Sequence, residues 1–196
     1  MMRFFTRMYY SVAMLRHHRH LLAQVNNAPK KISRVTDISP QQLHEQGINV
    51  LVLDFDGVLA AHGEHHPNQG LSLWLDECVK VFGADHIFIL SNKPLPSRIA
   101  YFQQHHFGVR CIKEVRKKPY PDGLEMIMQL TGQPATCIML VDDRLLTGVL
   151  AACIAQVQVA YISKPYVNLK KRPIQELFFI GLRVAERRLI KWFSHL

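Results

Sequence analysis

The chain has 196 residues, room for one ordinary domain with flanking segments. Hydrophobic residues are 48% and charged residues 20%, which excludes a disordered chain, and no apolar run approaches the roughly 18 residues a spanning helix needs. The formal charge of +9 is unevenly placed: residues 1–34 hold seven basic residues and no acid, and residues 164–196 hold eight against Glu176 and Glu186.

The middle of the chain, 35–163, has nine basic and thirteen acidic residues, so the basicity belongs to the ends. That pattern suits a soluble domain with attachments for an anionic surface, either membrane or nucleic acid. Cys78, Cys111, Cys137 and Cys153 show no CxxC spacing and read as buried free thiols of a reducing compartment.

Residues 1–34 form a basic N-terminal arm. Within it Phe4, Phe5, Met8, Tyr9, Val12 and Leu15 recur at spacings that fit an amphipathic helix. Arg7 interrupts the apolar stretch and no small-residue cleavage site follows, which excludes a secretory signal; an Arg-bearing, acid-free mitochondrial transit peptide is the alternative. Asn26-Asn27-Ala28-Pro29 with Lys30-Lys31 reads as a linker. Asp37-Ile38-Ser39-Pro40 then opens a short helix that Gly47 closes.

From there, over 35–196, strands and helices alternate. Apolar runs at Asn49–Asp54, Ile87–Leu90, Cys137–Val141 and Val157–Ile162, with a weaker one at Val109–Ile112, predict strands. They are apolar throughout, as a parallel sheet covered on both faces requires. Helical stretches fall at about 69–83, 95–106, 121–131 and 145–155. The order predicts a doubly wound α/β domain with a parallel sheet. At about 174–193 a basic helix is expected, with Leu182, Ala185, Leu189, Trp192 and Phe193 on one face and Arg183, Arg187 and Lys191 on another.

Ligands of such a sheet bind beyond the carboxyl ends of the strands. The residues there are Asp54-Phe55-Asp56-Gly57, Ser91-Asn92, Lys117-Lys118-Pro119 and Asp142-Asp143-Arg144. Asp54 and Asp56, two apart at one rim, repel unless a cation or shared proton joins them. Asp143 completes an oxygen site of the kind Mg²⁺ prefers. Ser91, the backbone around Asn92, and Lys118 are donors for phosphate oxygens. Asp54 is placed to attack phosphorus, and Asp56 to protonate the leaving alcohol and then activate water. The histidines His62, His65 and His66 read as surface-loop residues.

These residues resemble the four motifs of the haloacid dehalogenase (HAD) superfamily: Asp54-Phe55-Asp56-Gly57-Val58-Leu59, Ser91, Lys118 and Asp142-Asp143. The resemblance implies a HAD-like, Rossmann-type fold with Asp54 as nucleophile and Asp56 as acid/base. It also implies Mg²⁺ on Asp54, Asp56 and Asp143, and a phosphoryl group on Ser91 and Lys118. Asp37-Ile38-Ser39-Pro40, the segment Val141–Thr147 and the tail Arg183–Trp192 narrow the resemblance to the YqeG-type and HAD-type phosphatidylglycerophosphatases. These convert phosphatidylglycerophosphate to phosphatidylglycerol. Where that family reads Gly-Asp-Gln-x-x-Thr-Asp, this chain has Asp142, Arg144 and Gly148 in place of the first Gly, the Gln and the last Asp. Asp142 is a candidate to compensate, and Arg144 to touch phosphate or pair with Asp142.

About thirty residues separate the first two motifs, so no large cap domain is expected and the site should be open. A phospholipid substrate at an anionic membrane suits an open site and basic ends; nucleic acid is not expected as a partner. The placement expected is cytoplasmic, peripheral to the inner face of the membrane. Two alternatives stay open: another phosphoester (a nucleic-acid end, a phosphoprotein, a sugar phosphate), and a catalytically impaired HAD binding module.

Overall fold

Val50-Leu51-Val52-Leu53 forms strand β1, every residue buried, because alternate side chains feed two different cores. Leu51 and Leu53 join Ile87, Ile89, Trp74, Leu75 and Phe102 on one face of the sheet. Val50 and Val52 join Phe88, Ile138, Leu140, Leu124 and Ile127 on the other. The computed structural model describes residues 2–29 and 31–194, with side chains from Thr6 onward. The side chains of Phe4 and Phe5, and Lys30, lie outside the described residues.

The sheet has five parallel strands in the order β3-β2-β1-β4-β5: β1 (Val50–Leu53), β2 (Ile87–Ile89), β3 (Arg110–Cys111), β4 (Ile138–Asp142) and β5 (Gln158–Tyr161). All five lie where the sequence places them. The chain winds outward from β1 to β3, then returns to β4 beside β1. That reversal opens a crevice between the ends of β1 and β4, where ligands of such sheets bind. The register sets Leu53 against Val141, so Asp54 and Asp142 leave the sheet side by side.

The helices are α1 (Met2–His17), α2 (Arg19–Asn26), α3 (Pro40–Glu45), α4 (Ser72–Phe82), α5 (Pro96–His105), α6 (Asp122–Thr131), α7 (Leu150–Ala155) and α8 (Pro173–Ser194). Ser39 caps α3 by accepting from the Gln42 amide, with Pro40 in the first turn. A single π-helical turn over Leu145–Val149 leads into α7. No large cap interrupts the domain. Among the described residues no helix is long and apolar enough to cross a membrane.

The N-terminal segment is seated on the domain. Leu15 and Leu22 are buried with Leu145, Val149, Leu150, Tyr161 and Ile190 in a third apolar cluster. Tyr10 stacks on Tyr120 at 4.4 Å. Met8, Tyr9 and Val12 stay exposed. Cys78 and Cys153 are buried, Cys111 and Cys137 half-buried, and all four are free thiols.

Candidate active site

Asp54 follows β1 directly, and its amide donates to the Val141 carbonyl, which extends the sheet by one residue. Its Oδ1 accepts from the Phe55 amide at 2.8 Å. Lys118, 2% exposed, reaches up between two carboxylates: Nζ lies 3.1 Å from Asp54 Oδ1 and 2.5 Å from Asp142 Oδ2. Burial works against the ammonium, but the two acids outweigh it and its pKa is raised. Asp54 is raised well above the usual carboxylate range, by burial first and then by Asp142 and Asp143, against the pull of Lys118.

Asp54, Asp142 and Asp143 form a group of buried carboxylates whose ligand atoms lie within 4.8 Å of one another. Asp143 Oδ2 accepts from Arg183 Nε of α8 at 2.5 Å, whereas its Oδ1 is buried with no partner. Burial lifts the Asp143 pKa to about 6, although Arg183 pulls it down. Three carboxylates against two cations leave negative charge in a buried place, and every donor is a hard oxygen. The residues therefore fit Mg²⁺, with Asp143 Oδ1 as one ready ligand. Both Asp142 oxygens are already used, one by Lys118 and one by the Arg144 amide at 2.9 Å.

The Asp56 carboxylate stands outside that group. Arg98 of α5 grips it with two hydrogen bonds of 2.7 and 2.9 Å, and the Gly63 amide donates a third at 3.0 Å. Burial would raise the Asp56 pKa, but Arg98 and the Gly63 amide overcome it, and the net shift is downward. Arg98 is itself 2% exposed and lies over the Phe55 ring. Nothing in its sequence context marks it; it is one arginine in the first turn of a half-buried helix.

Ser91 follows β2 and sits half-buried at the same edge, its hydroxyl accepting from the Lys93 amide. The Asn92 amide is spent on Lys118: Oδ1 accepts from the Lys118 amide at 2.7 Å and Nδ2 donates to its carbonyl. The Asn92 side chain thus fixes the lysine loop. A cleft of about 160 Å³ opens here, lined by Ser91, Asn92 and Lys113 to Lys118. Only the Arg144 amide meets Asp142; its guanidinium reaches neither Asp142 nor that cleft and pairs with Glu186 of α8, which also accepts from the Leu145 amide. A buried carboxylate on the neighbouring helix is the stronger partner.

Two glycines allow the close approach of these acids. Gly57, at φ +89°, has Asp143 Oδ2 2.6 Å from where a Cβ would lie. At Gly148 a Cβ would fall 1.8 Å from Asp142 Oδ2. The carboxylate of Asp142 therefore fills the space a residue-148 side chain would enter. The two departures from the resembled pattern, Asp142 and Gly148, thus meet at one place.

Periodicity divides α8 into an apolar and a basic face and leaves open which one packs on the domain. The buried stripe of the helix is Glu176, Arg183, Glu186 and Ile190; Ala185, Leu189 and Trp192 are exposed. Asp143 and Arg144 recruit the charged face inward, because buried charges need partners more than a few apolar groups need burial. Glu176 accepts from the amides of His62 and Asn168. His62 is buried too, stacked on Phe179 at 3.7 Å, and is not a surface-loop residue; His65 and His66 are more open. Sequence reading missed this inner face because its partners are distant in chain order: Asp143 is 40 positions from Arg183, Arg144 is 42 from Glu186, and His62 is 114 from Glu176.

Two predictions arise here. Arg183→Leu strips the partner from buried Asp143, and the expected loss is about 3–5 kcal/mol of stability. Mg²⁺ should then raise the variant's melting temperature more than the wild type's; equal shifts would place the ion elsewhere. The second concerns His62, whose pKa falls to about 4, through burial first and then Arg183, with Asp56 opposing. Between that value and the ordinary 6.5, the unfolded chain binds more protons, so this contribution grows as pH rises and is lost as it falls. The stability difference between wild type and His62→Gln should widen by about 3 kcal/mol from pH 4 to pH 7 in denaturant titrations.

A parallel sheet whose switch point carries an aspartate after β1, a lysine between carboxylates and an Asp-Asp pair at the end of β4 defines a HAD-type phosphatase, a phosphoric monoester hydrolase. The chain belongs to the mitochondrial PGP (phosphatidylglycerophosphate) phosphatase family, whose model matches residues 12–165. Helix α8 lies beyond the matched stretch. Among solved structures, an uncharacterized protein from Corynebacterium glutamicum ATCC 13032 Kitasato is 22% identical. That match covers 70% of this chain and 96% of that one, with a TM-score of 0.45. The search of curated proteins found no match.

Proposed function

We propose that the protein is a Mg²⁺-dependent phosphomonoesterase that removes the terminal phosphate of phosphatidylglycerophosphate to leave phosphatidylglycerol. The carrying observation is the buried Lys118 between Asp54 and Asp142, beside the unpartnered Asp143 Oδ1, in a chain of that phosphatase family.

Asp54 attacks phosphorus; the bond from phosphorus to the glycerol oxygen breaks and an aspartyl-phosphate forms. The leaving alkoxide takes a proton from Asp56. Water then gives a proton to Asp56 and attacks phosphorus, which releases inorganic phosphate and frees Asp54. Lys118 and the Ser91 hydroxyl hold phosphoryl oxygens, and Asn92 holds the Lys118 loop. Asp54 and Asp143 would hold Mg²⁺, which would supply positive charge that offsets the phosphoryl group and keeps Asp54 ionised. Arg98 favours ionised Asp56, the form that activates water; for the acid step Asp56 must first take a proton from solvent against that pull.

The reaction is placed at the soluble side of an anionic membrane, a position common to a cytoplasmic and a matrix enzyme. Phosphate release from phosphatidylglycerophosphate in mixed micelles with Mg²⁺, beside a panel of soluble phosphomonoesters, tests this. The lipid should be the best substrate, and EDTA should abolish turnover. A soluble ester that outperforms the lipid would overturn the substrate assignment. Inactivity of the folded protein on every ester would leave a binding module.

A further inference from the structure

Helix α8 has its polarity inside out for a helix packed on a soluble domain. Three of its four buried positions hold Glu176, Arg183 and Glu186, with Ile190 the fourth, and its outer face holds Ile174 (84% exposed), Leu177 (60%), Phe178 (62%) and Trp192 (60%). An apolar stripe left in water while charges are buried is the informative departure from ordinary packing. Between those residues lie Gly181, Val184, Ala185 and Leu189, which with Trp192 and Arg188 shape a shallow groove along the helix.

The charge on that face has one sign. Both acids of α8 point inward, Glu176 to the amides of His62 and Asn168 and Glu186 to Arg144 and the Leu145 amide. What the helix shows to solvent is therefore apolar side chains flanked by the neutral Gln175 and by exposed Arg188 and Lys191, with no acid. The segment that leads into α8 adds exposed Leu169 and Lys170. A helix with an apolar stripe, Trp and no charges but cations on its outer side matches the interface of an anionic bilayer, where rings and methyls enter the headgroup boundary and cations meet lipid phosphates.

We propose that the outer face of α8 is the surface by which this protein docks on an anionic lipid bilayer, lying flat along it. The inference deepens the lipid-phosphatase reading and rests on it only for the choice of lipid over another anionic partner. The same turns carry both functions. Glu176 and Arg183 hold the catalytic edge from one side of the helix, while Leu177, Phe178 and Val184 face outward. One helix diameter, about 10 Å, then separates the bilayer surface from the Asp143 side of the site. A lipid phosphomonoester could reach it without leaving its membrane.

The experiment uses the full chain and vesicles of phosphatidylglycerol in phosphatidylcholine, against pure phosphatidylcholine. Neither lipid carries a phosphomonoester, so binding reads the face and not the site. The protein has two tryptophans; Trp74 is buried and donates to the Ile38 carbonyl, so Trp192 reports the helix. Anionic vesicles should blue-shift the emission and sediment the protein at least tenfold more than neutral ones, and added salt should weaken both. Ile174→Glu/Leu177→Glu/Trp192→Glu should lose at least tenfold in sedimentation, with the wild-type melting temperature and wild-type turnover of a soluble aryl phosphate. A wild type that ignores anionic vesicles, or a triple variant that binds them equally well, would overturn the proposal. So would a dimer, or a nucleic-acid complex formed in preference to vesicles, that the triple variant abolishes. Loss of vesicle binding with turnover intact leaves the phosphatase reading standing, and the converse leaves the docking face standing.

Discussion

Asp54→Asn should remove phosphate release altogether, a fall of about 10⁴ or more, while the melting temperature holds or rises. The side chain keeps its size, and its oxygen still accepts from the Phe55 amide. What disappears is a charge the fold disfavours. Burial and the neighbouring Asp142 and Asp143 raise the Asp54 pKa, and Lys118 only partly offsets them. A neutral isostere relieves that repulsion, and Lys118 keeps Asp142 as its partner. An expected gain of about 1 kcal/mol without Mg²⁺ follows from removing a buried carboxylate of this kind. Loss of activity with a gain in stability marks a residue retained for chemistry. Wild-type activity equal to that of the variant would mean that Asp54 is not the nucleophile. The Mg²⁺-dependent rise in melting temperature should also shrink in the variant, which reads the metal site without turnover.

The fold was legible because its signals are local. Five apolar runs with turn residues between them can only be strands of a sheet covered on both faces, and each lies in the expected place. Strand-end positions also located Asp54, Ser91, Lys118, Asp142 and Asp143 at one edge, since the end of a parallel strand fixes where its next side chain goes. What the sequence did not carry is which group pairs with which. Arg98 reaches Asp56 across 42 positions and Arg183 reaches Asp143 across 40, and neither interval has a motif. The facing of α8 was left open for the same reason. Periodicity divides a helix into faces, but the inward one is chosen by partners elsewhere, here Asp143, Arg144 and the His62 amide.

The altered fourth motif is open to a test by exchange. Asp142→Gly should cost about 3–5 kcal/mol, because Lys118 loses the acid at 2.5 Å and keeps only Asp54. Activity should fall with it, since an ammonium held by Asp54 alone blocks the nucleophile it should leave free. Gly148→Asp should be at least as harmful: its Cβ would lie 1.8 Å from Asp142 Oδ2, and a second carboxylate would enter a place already filled. Made together, the two substitutions move one carboxylate from the strand end to the helical turn that follows it, with the same Lys118 within reach. The double variant should recover most of the stability and at least a tenth of the activity, a coupling of about 3 kcal/mol between the two sites. Additive losses in chemical denaturation would show instead that Asp142 holds Lys118 in a way residue 148 cannot reproduce. The coupling follows from packing: the space between Lys118 and Gly148 admits one acid besides Asp54, and either the strand or the helical turn is expected to supply it.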